Sequence, residues 1–337
     1  MERMFEELEK ILHPKSVVII GASENLGHFI EPFIDSGLRL NLVNPKRKEL
    51  FNKKCYASVL EIEDPIDYAI IAVPARLTSN VVRECIKKGV KTAHVYSSGF
   101  SETGEEDRIE LEREIAKIAK GKIRLIGPNC MGIYCPDSGL YFLEGQSKES
   151  GPVGFVSQSG TFPAYLTTMG EFGDVRFSKV TSYGNAVDLD CSDFIEYLAD
   201  DSKTRIILVY VEGVRDGRRL FEVLKEVTRK KPVLLLKGGT TPEGVRVVSS
   251  HTGALAGSRE VWEAFCKQTG VISVKSFEEM IDTVRAFLHS PLPQGRGISI
   301  ASVSGGISVI ETDTCVEIGL EVPRFSDKTL EKLKEII

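Results

Sequence analysis

Residues 16–23 read SVVIIGAS, a short apolar run closed by glycine and two small residues. Four consecutive β-branched residues with no polar alternation fit a strand buried on both faces, as in a parallel sheet. Gly21-Ala22-Ser23 then supplies the turn into a helix that runs to about residue 36. Working outward, the same alternation continues. Strand 40–43 ends at the turn Asn44-Pro45, and strand 68–73 is closed by Pro74. Helix 78–88 stops at Gly89, a good C-terminal signal. Strand 92–96, the loop SSGFSETG, a highly charged helix to Lys120 and strand 123–126 complete the pattern. Five strands with intervening helices are enough for a doubly wound nucleotide-binding unit.

A turn-rich boundary falls at 137–151, and a second α/β unit follows with strands at 153–156, 205–211, 233–236 and 271–274. Its helices are centred near residues 165, 195, 222 and 263, with one more over 276–288. The segment SPLPQGRG (290–297) reads as a linker. A third unit is expected to open with strand 298–303, the turn Ser304-Gly305-Gly306, and a helix to about Ile318. One strand and two helices cannot enclose a core, so this unit is expected to be cut short, as in a fragment or a split subunit.

Length and composition narrow the class. A chain of 337 residues implies two or three domains, and 42% hydrophobic with 27% charged residues describes a globular protein. No run approaches the roughly 18–20 apolar residues of a membrane span. The charged start MERMFEELEK lacks the apolar core of a signal peptide. A net charge of -5 argues against nucleic acid as a partner. The seven cysteines are scattered, without C-x-x-C spacing or a Cys/His cluster, so no metal site is expected and a reducing cytoplasm is the simple location.

Loops at the carboxyl ends of strands are where open sheets bind ligands. Gly21–Gly27 resembles a dinucleotide loop, because small residues let a phosphate approach backbone amides at a helix start. It is not G-x-G-x-x-G, and the second strand ends at Asn44, where an NAD enzyme usually places an acidic residue. A nucleotide-containing cofactor other than NAD is favoured, and an NAD-dependent dehydrogenase is the weakest functional class. The loop GPNCMG (127–132) packs two glycines and a proline around Asn129, whose amide it either aims at a ligand or merely carries round a tight exit turn. Cys130 reads as a small packed residue. His94, within a strand, reads as core.

In the second unit VSQSG (156–160) follows a strand and opens a helix at Thr161. Exposed amides of Ser159, Gly160 and Thr161 would form an anion site at the positive end of the helix dipole, or simply an N-cap. Further on, His251 stands in SSHTGALAGS (249–258), within a long glycine-rich loop from Gly238 to Gly257. Its small neighbours leave little to pack against it, and a neutral imidazole is a good phosphoryl acceptor near pH 7. Such a histidine needs an acceptor on its second ring nitrogen. Glu212, at the end of ILVYV, is either that acceptor or a solvated strand-end carboxylate.

Taken together, these segments resemble the alpha chain of succinyl-CoA synthetase and, more closely, the ADP-forming acetyl-CoA synthetase family. The resemblance rests on GAS (21–23), VNPK (43–46), AVPA (72–75), SSGFSETGEE (97–106) and GPNCMGI (127–133). It continues in order through VSQSGT (156–161), SYGNAVDLD (182–190), VEGVRDGRR (211–219) and SSHTGALAGS (249–258). It implies a Rossmann-like CoA-binding domain (1–145), a flavodoxin-like ligase domain with the phosphohistidine loop (150–289), and part of a third α/β ligase domain (297–337). By resemblance CoA is contacted by Gly21, Ala22, Ser23, Lys46, Val73, Pro74, Ser97, Ser98 and Gly99, with Asn129 near the thioester. His251 is implied as the phosphorylated residue, Glu212 as its orienting partner, and Ser159, Gly160 and Thr161 as the cap of the phosphate-holding helix. The family reaction converts acyl-CoA, phosphate and a nucleoside diphosphate into acid, CoA and the triphosphate, through acyl phosphate and phosphohistidine. No ATP-grasp module is legible, so the resemblance implies a partner chain carrying ADP and Mg²⁺ in an α2β2 assembly, with a small organic acid as substrate. Two departures stand out: the stretch between Gly21 and Asn44 is short for the family, and a glycine of its usual loop is missing. A non-catalytic CoA- or acyl-CoA-sensing module is the alternative, against which the presence of His251 counts.

Overall fold

A computed structural model describes residues 2–336 apart from 142, 173, 253–258 and 292, with side chains at 2, 3, 169–172 and 249–252 outside that description. Helix α1 (Glu2–Leu12) leads into β1 (Ser16–Ile20), whose five residues are all buried. Then come α2 (Gly27–Ile34), β2 (Arg39–Val43), β3 (Glu49–Leu50), β4 (Lys53–Tyr56), β5 (Tyr68–Ile71) and α3 (Ala75–Lys88). Strand β6 (Thr92–Val95), α4 (Glu106–Ala119) and β7 (Arg124–Ile126) complete a seven-stranded sheet ordered β3-β4-β2-β1-β5-β6-β7. All pairs are parallel except β3 with β4, a short edge hairpin beyond the five strands expected.

The chain then crosses to a second sheet. Strand β8 (Gly132–Tyr134) is followed by β9 (Val153–Ser157), α5 (Thr161–Phe172), β10 (Phe177–Ser182), α6 (Cys191–Asp200), β11 (Ile206–Val211) and α7 (Gly217–Val227). Next are β12 (Val233–Lys237), α8 (Pro242–Thr252), α9 (Arg259–Thr269), β13 (Ile272–Val274) and α10 (Phe277–His289). Their order is β13-β12-β11-β9-β10-β8, with β8 the antiparallel edge.

Two expectations are corrected here. Within the glycine-rich stretch 238–257, residues 242–252 form helix α8: Pro242 starts it, the Thr241 hydroxyl accepts from the Gly244 amide at 3.1 Å, and Val248 is buried against Gly239. Proline at a first helical position and a threonine cap outweigh the small residues that follow. Strand 298–303 does not form. Contact clustering sets residues 286–337 apart as a second unit, described by itself. There, α11 (Gly305–Glu317) and α12 (Asp327–Lys334) bury none of their residues, and Gly297 makes an isolated bridge to Glu321. An extended segment with no neighbouring strand leaves its backbone groups to water.

Residues 1–285 form the other unit, within which the two sheets are fastened in two places. Helix α1 buries Leu8, Ile11 and Leu12, and Phe5 stacks on Tyr197 of α6 at 4.9 Å. Each buried aliphatic side chain contributes about 2 kcal/mol. At the start of β7, Arg124 grips Asp188 through two bonds of 2.8 and 3.1 Å and reaches Glu7 of α1 at 3.0 Å. The loop 183–189 then runs alongside the exit of β7, with Asn185, Val187 and Leu189 amides donating to the Pro128, Gly127 and Leu125 carbonyls at 2.9, 3.1 and 3.3 Å. No helix among the described residues is long and apolar enough to cross a membrane.

His94, expected in the core, is buried in β6 with Nε2 3.0 Å from the Cys130 carbonyl, which it donates to. Burial lowers its pKa to about 4, partly offset by that bond. Since the unfolded imidazole titrates near 6.5, the folded state loses relative stability as pH falls from about 6.5 to about 4. We expect this group to account for a loss of about 3 kcal/mol over that interval. Urea denaturation of wild type and His94→Gln across the interval should show the extra acid sensitivity only in wild type.

Candidate functional site

In each sheet the strand order reverses at one point, and a crevice opens beyond the strand ends there. In the first sheet the reversal lies between β1 and β5; in the second it lies at β9, between β10 and β11. Both crevices open into one cavity of about 570 Å³. Ala72-Val73-Pro74 after β5, Tyr96-Ser97-Ser98 after β6 and Asn129-Cys130-Met131 after β7 line one side. Gln158–Thr161 after β9, Gly184-Asn185 after β10 and Glu212 after β11 line the other.

Each wall is held by local chemistry. The Ser97 hydroxyl donates to the Val73 carbonyl at 2.5 Å, and the Asn129 amide donates to the Ser97 carbonyl at 3.0 Å, tying three strand exits together. Asn129 has φ 59° and its side-chain nitrogen lies 3.5 Å from Asn185 Oδ1. Asn185 Nδ2 in turn donates to Glu102 Oε2 at 2.7 Å and Glu112 Oε2 at 2.8 Å. Glu112 is buried and also accepts from Ser101 and from Arg215. Gly184, at φ 54°, brings the two walls into contact: a Cβ there would stand 2.1 Å from the Pro128 carbonyl oxygen. Only glycine fits that approach.

Helix α5 begins at Thr161, as expected. Among the described residues, the backbone amides of Ser159, Gly160 and Thr161 meet no protein acceptor, so the helix start presents open donors to the cavity. Opposite them, Glu212 is 9% exposed and its Oε1 accepts from the Tyr210 hydroxyl at 3.0 Å. The backbone around Glu212 is pinned twice. Gln158 Oε1 accepts from the Glu212 and Gly213 amides at 2.8 and 3.0 Å, and the Lys237 ammonium donates to the Glu212 carbonyl at 2.7 Å. Burial lowers the Lys237 pKa. Of the described residues lining the cavity, Glu212 carries the only formal charge. No group of three or more His, Cys, Asp or Glu able to hold a metal exists among the described residues.

The structure thus brings Val73, Pro74, Ser97, Ser98, Asn129, Ser159, Gly160, Thr161 and Glu212 to one cavity. Gly21, Ala22, Ser23, Lys46 and Gly99 lie outside its lining. The Gly21 and Ala22 amides both donate to the Val43 carbonyl, at 2.9 and 3.2 Å, so β2 already uses them. Gly21 also permits the close packing of β1 on β5, since a Cβ would meet the Ala72 carbonyl at 2.3 Å. Lys46 is exposed after β2, and the Gly99 amide is taken by Glu102 at 2.6 Å. His251 falls in the last turn of α8, and its side chain lies outside the described residues, as do 253–258. Gln158, Asn185 and Met131 were not singled out from sequence. The signal for the first two was a polar amide next to glycine or serine in a strand-exit loop.

A model of the succinyl-CoA ligase-like flavodoxin domain matches residues 150–287, and a CoA-binding domain model matches residues 15–136. The alpha subunit of ADP-forming acetate–CoA ligase II from Pyrococcus furiosus is 39% identical over 336 residues, covering 98% of this chain and 73% of that subunit. ADP-forming acetate–CoA ligase from Methanocaldococcus jannaschii is 40% identical over 337 residues; the alignment covers 98% of this chain, which spans only 47% of that relative's length. Among solved structures, the dinucleotide forming acetyl-coenzyme A synthetase 1 of Ca. Korarchaeum cryptofilum, in complex with phosphate and ADP, matches with TM-score 0.88 and 32% identity. That match covers 98% of this chain and 73% of the other.

The tight approach at Gly184 yields a direct test of how the two walls are joined. Gly184→Ala should destabilise the protein by about 2–5 kcal/mol, combining a left-handed backbone with overpacking. Gly217→Ala, where a Cβ meets nothing within 4 Å, should change little. Thermal denaturation of both variants checks the contrast.

Proposed function

The chain belongs to the ADP-forming acetate–CoA ligase family, and from that premise we propose that it is the acyl-transfer and phosphoryl-carrying part of an acid–CoA ligase. It comprises a CoA-binding domain (1–145), a ligase domain (150–289) and part of a third ligase domain (297–337). In the proposed sequence, inorganic phosphate attacks the carbonyl carbon of a small acyl-CoA. The C–S bond breaks, the thiolate takes a proton, and acyl phosphate and free CoA result. A ring nitrogen of His251 then attacks phosphorus, the bond from phosphorus to the acyl oxygen breaks, and the acid leaves as its carboxylate. The phosphoryl group passes finally to a nucleoside diphosphate, taken to be ADP.

Val73, Pro74, Ser97 and Ser98 would hold the CoA end, with Gly21, Ala22, Ser23, Lys46 and Gly99 along or behind its path. Asn129 would meet the thioester carbonyl, and the Ser159, Gly160 and Thr161 amides would hold the phosphoryl oxygens. The nucleotide and its Mg²⁺ belong on an ATP-grasp partner chain, in an α2β2 assembly in the cytoplasm.

One observation carries this reading: a lone carboxylate, Glu212, shares the cavity with open amides suited to an anion. Two anions face one another favourably only with a cationic or proton-bearing group between them, and an imidazole donating to Glu212 is that group. Glu212 then fixes the tautomer and stabilises the imidazolium character that builds as the nitrogen attacks.

The test is incubation of the full chain and its ATP-grasp partner with γ-labelled ATP. Wild type should acquire acid-labile, base-stable label. His251→Asn should acquire none, and Glu212→Gln should label about 10²-fold more slowly with CoA affinity intact. Undiminished labelling of His251→Asn would refute the assignment. Absence of label in wild type, with CoA still bound, would assign the chain as a CoA-sensing module instead.

A further inference from the structure

Glu212 has two carboxylate oxygens, and the structure treats them differently. Oε1 accepts from the Tyr210 hydroxyl at 3.0 Å, while Oε2 has no hydrogen-bond partner among the described residues. Tyr210 and Glu212 are two residues apart at the end of β11, so their side chains leave on the same side of the strand. Tyr210 is nearly buried and cannot easily turn away. Its ring packs edge-on against Phe162 of α5 at 4.6 Å and near Phe277 of α10 at 6.2 Å. Above the hydroxyl the space is closed by Gly238, where a Cβ would sit 2.7 Å from the phenolic oxygen.

We propose that Tyr210 is a positioning residue: its hydroxyl caps Oε1 of Glu212, so that Oε2 alone is left to accept the N–H of the phosphoryl-carrying imidazole. The inference rests on the function proposed above and adds a residue to it. The ring does further work through Phe162, the residue next to Thr161. That contact ties the carboxylate to the first turn of the helix whose amides hold the phosphoryl oxygens, so donor and acceptor keep a common spacing. Burial, with Glu212 beside it, pushes the Tyr210 phenol up from its ordinary value, so it stays a donor throughout the working pH range.

Few other titratable groups surround Glu212. Lys237 at the exit of β12 engages its backbone carbonyl, and Tyr183 after β10 is near enough to feel its charge. Helices α5 and α10 present the Phe162 and Phe277 rings to the pair. The side chain of His251, on α8, lies outside the described residues.

Tyr210→Phe keeps the ring and removes only the hydroxyl. In the full chain with its ATP-grasp partner, the rate of phosphohistidine formation should fall about tenfold, because the carboxylate loses the bond that holds its orientation. KM for CoA should not change. A wild-type rate in Tyr210→Phe, alongside an impaired Glu212→Gln, would overturn the proposal and leave Tyr210 a packing residue, as would a loss shared equally with KM for CoA. If Glu212→Gln were itself fully active, the assignment of Glu212 would fail and this inference with it. Should Tyr210→Phe not fold, Gly238→Ala crowds both members of the pair, its methyl lying 2.7 Å from the phenolic oxygen and 3.2 Å from Glu212 Cγ; an unchanged rate there would count equally against the proposal.

Discussion

The close approach of residues 183–189 to the exit of β7 is the constraint on which the site depends. Neither sheet makes the cavity alone. Each offers a crevice where its strand order reverses, and the two face one another because the Gly184 backbone lies against the Pro128 and Asn129 carbonyls. The three amide-to-carbonyl bonds along this seam act like a strand pair between units that share no sheet. The Arg124–Asp188 fork locks the register at the far end. Such bidentate pairs fix geometry as well as adding energy. A ligand that spans both crevices therefore meets a cavity already assembled, which lowers the ordering cost of binding.

Electrostatics in this cavity are spare. The described lining holds one carboxylate, and the open amides at the start of α5 are its main unpaired donors. Amide donors on a helix start are fixed by the helix itself and need no side-chain ordering. The carboxylate is fixed with equal economy, through Gln158 and Lys237 on its backbone and Tyr210 on its side chain. A buried carboxylate held at one oxygen and along its backbone keeps one arrangement and leaves its second oxygen free among the described residues.

Much of this was legible in the chain. Runs such as SVVII and ILVYV can only be doubly buried strands, and the small-residue loops after them mark the ligand-facing ends. Strand β10, FSKVTS, was not legible because four of its six residues are polar. Its Lys179 is buried against Asp201 at 2.9 Å, and Ser178 meets Thr204 at 2.7 Å, contacts that no local pattern announces. Helix α8 was hidden by glycine and serine, whose loop preference yielded to the Thr241 cap and the burial of Val248. Strand 298–303 had the right composition but lacked a neighbour to pair with. The roles of Gln158 and Tyr210 depend on which atoms meet across strands, and spacing along a sequence does not encode that.

Helix α1 has a consequence for how the protein is made. Its apolar face and Phe5 are covered by α6, and Tyr197 donates to Glu9 across 188 residues of sequence. On a ribosome the helix emerges well ahead of its covering surface, which follows only after roughly ten to forty seconds of synthesis. Until then the first sheet can close on its own hydrogen bonds while a greasy helix dangles from its leading strand, a natural handle for chaperones. Clasping that helix is thus the act by which the nascent chain records that its second sheet has arrived.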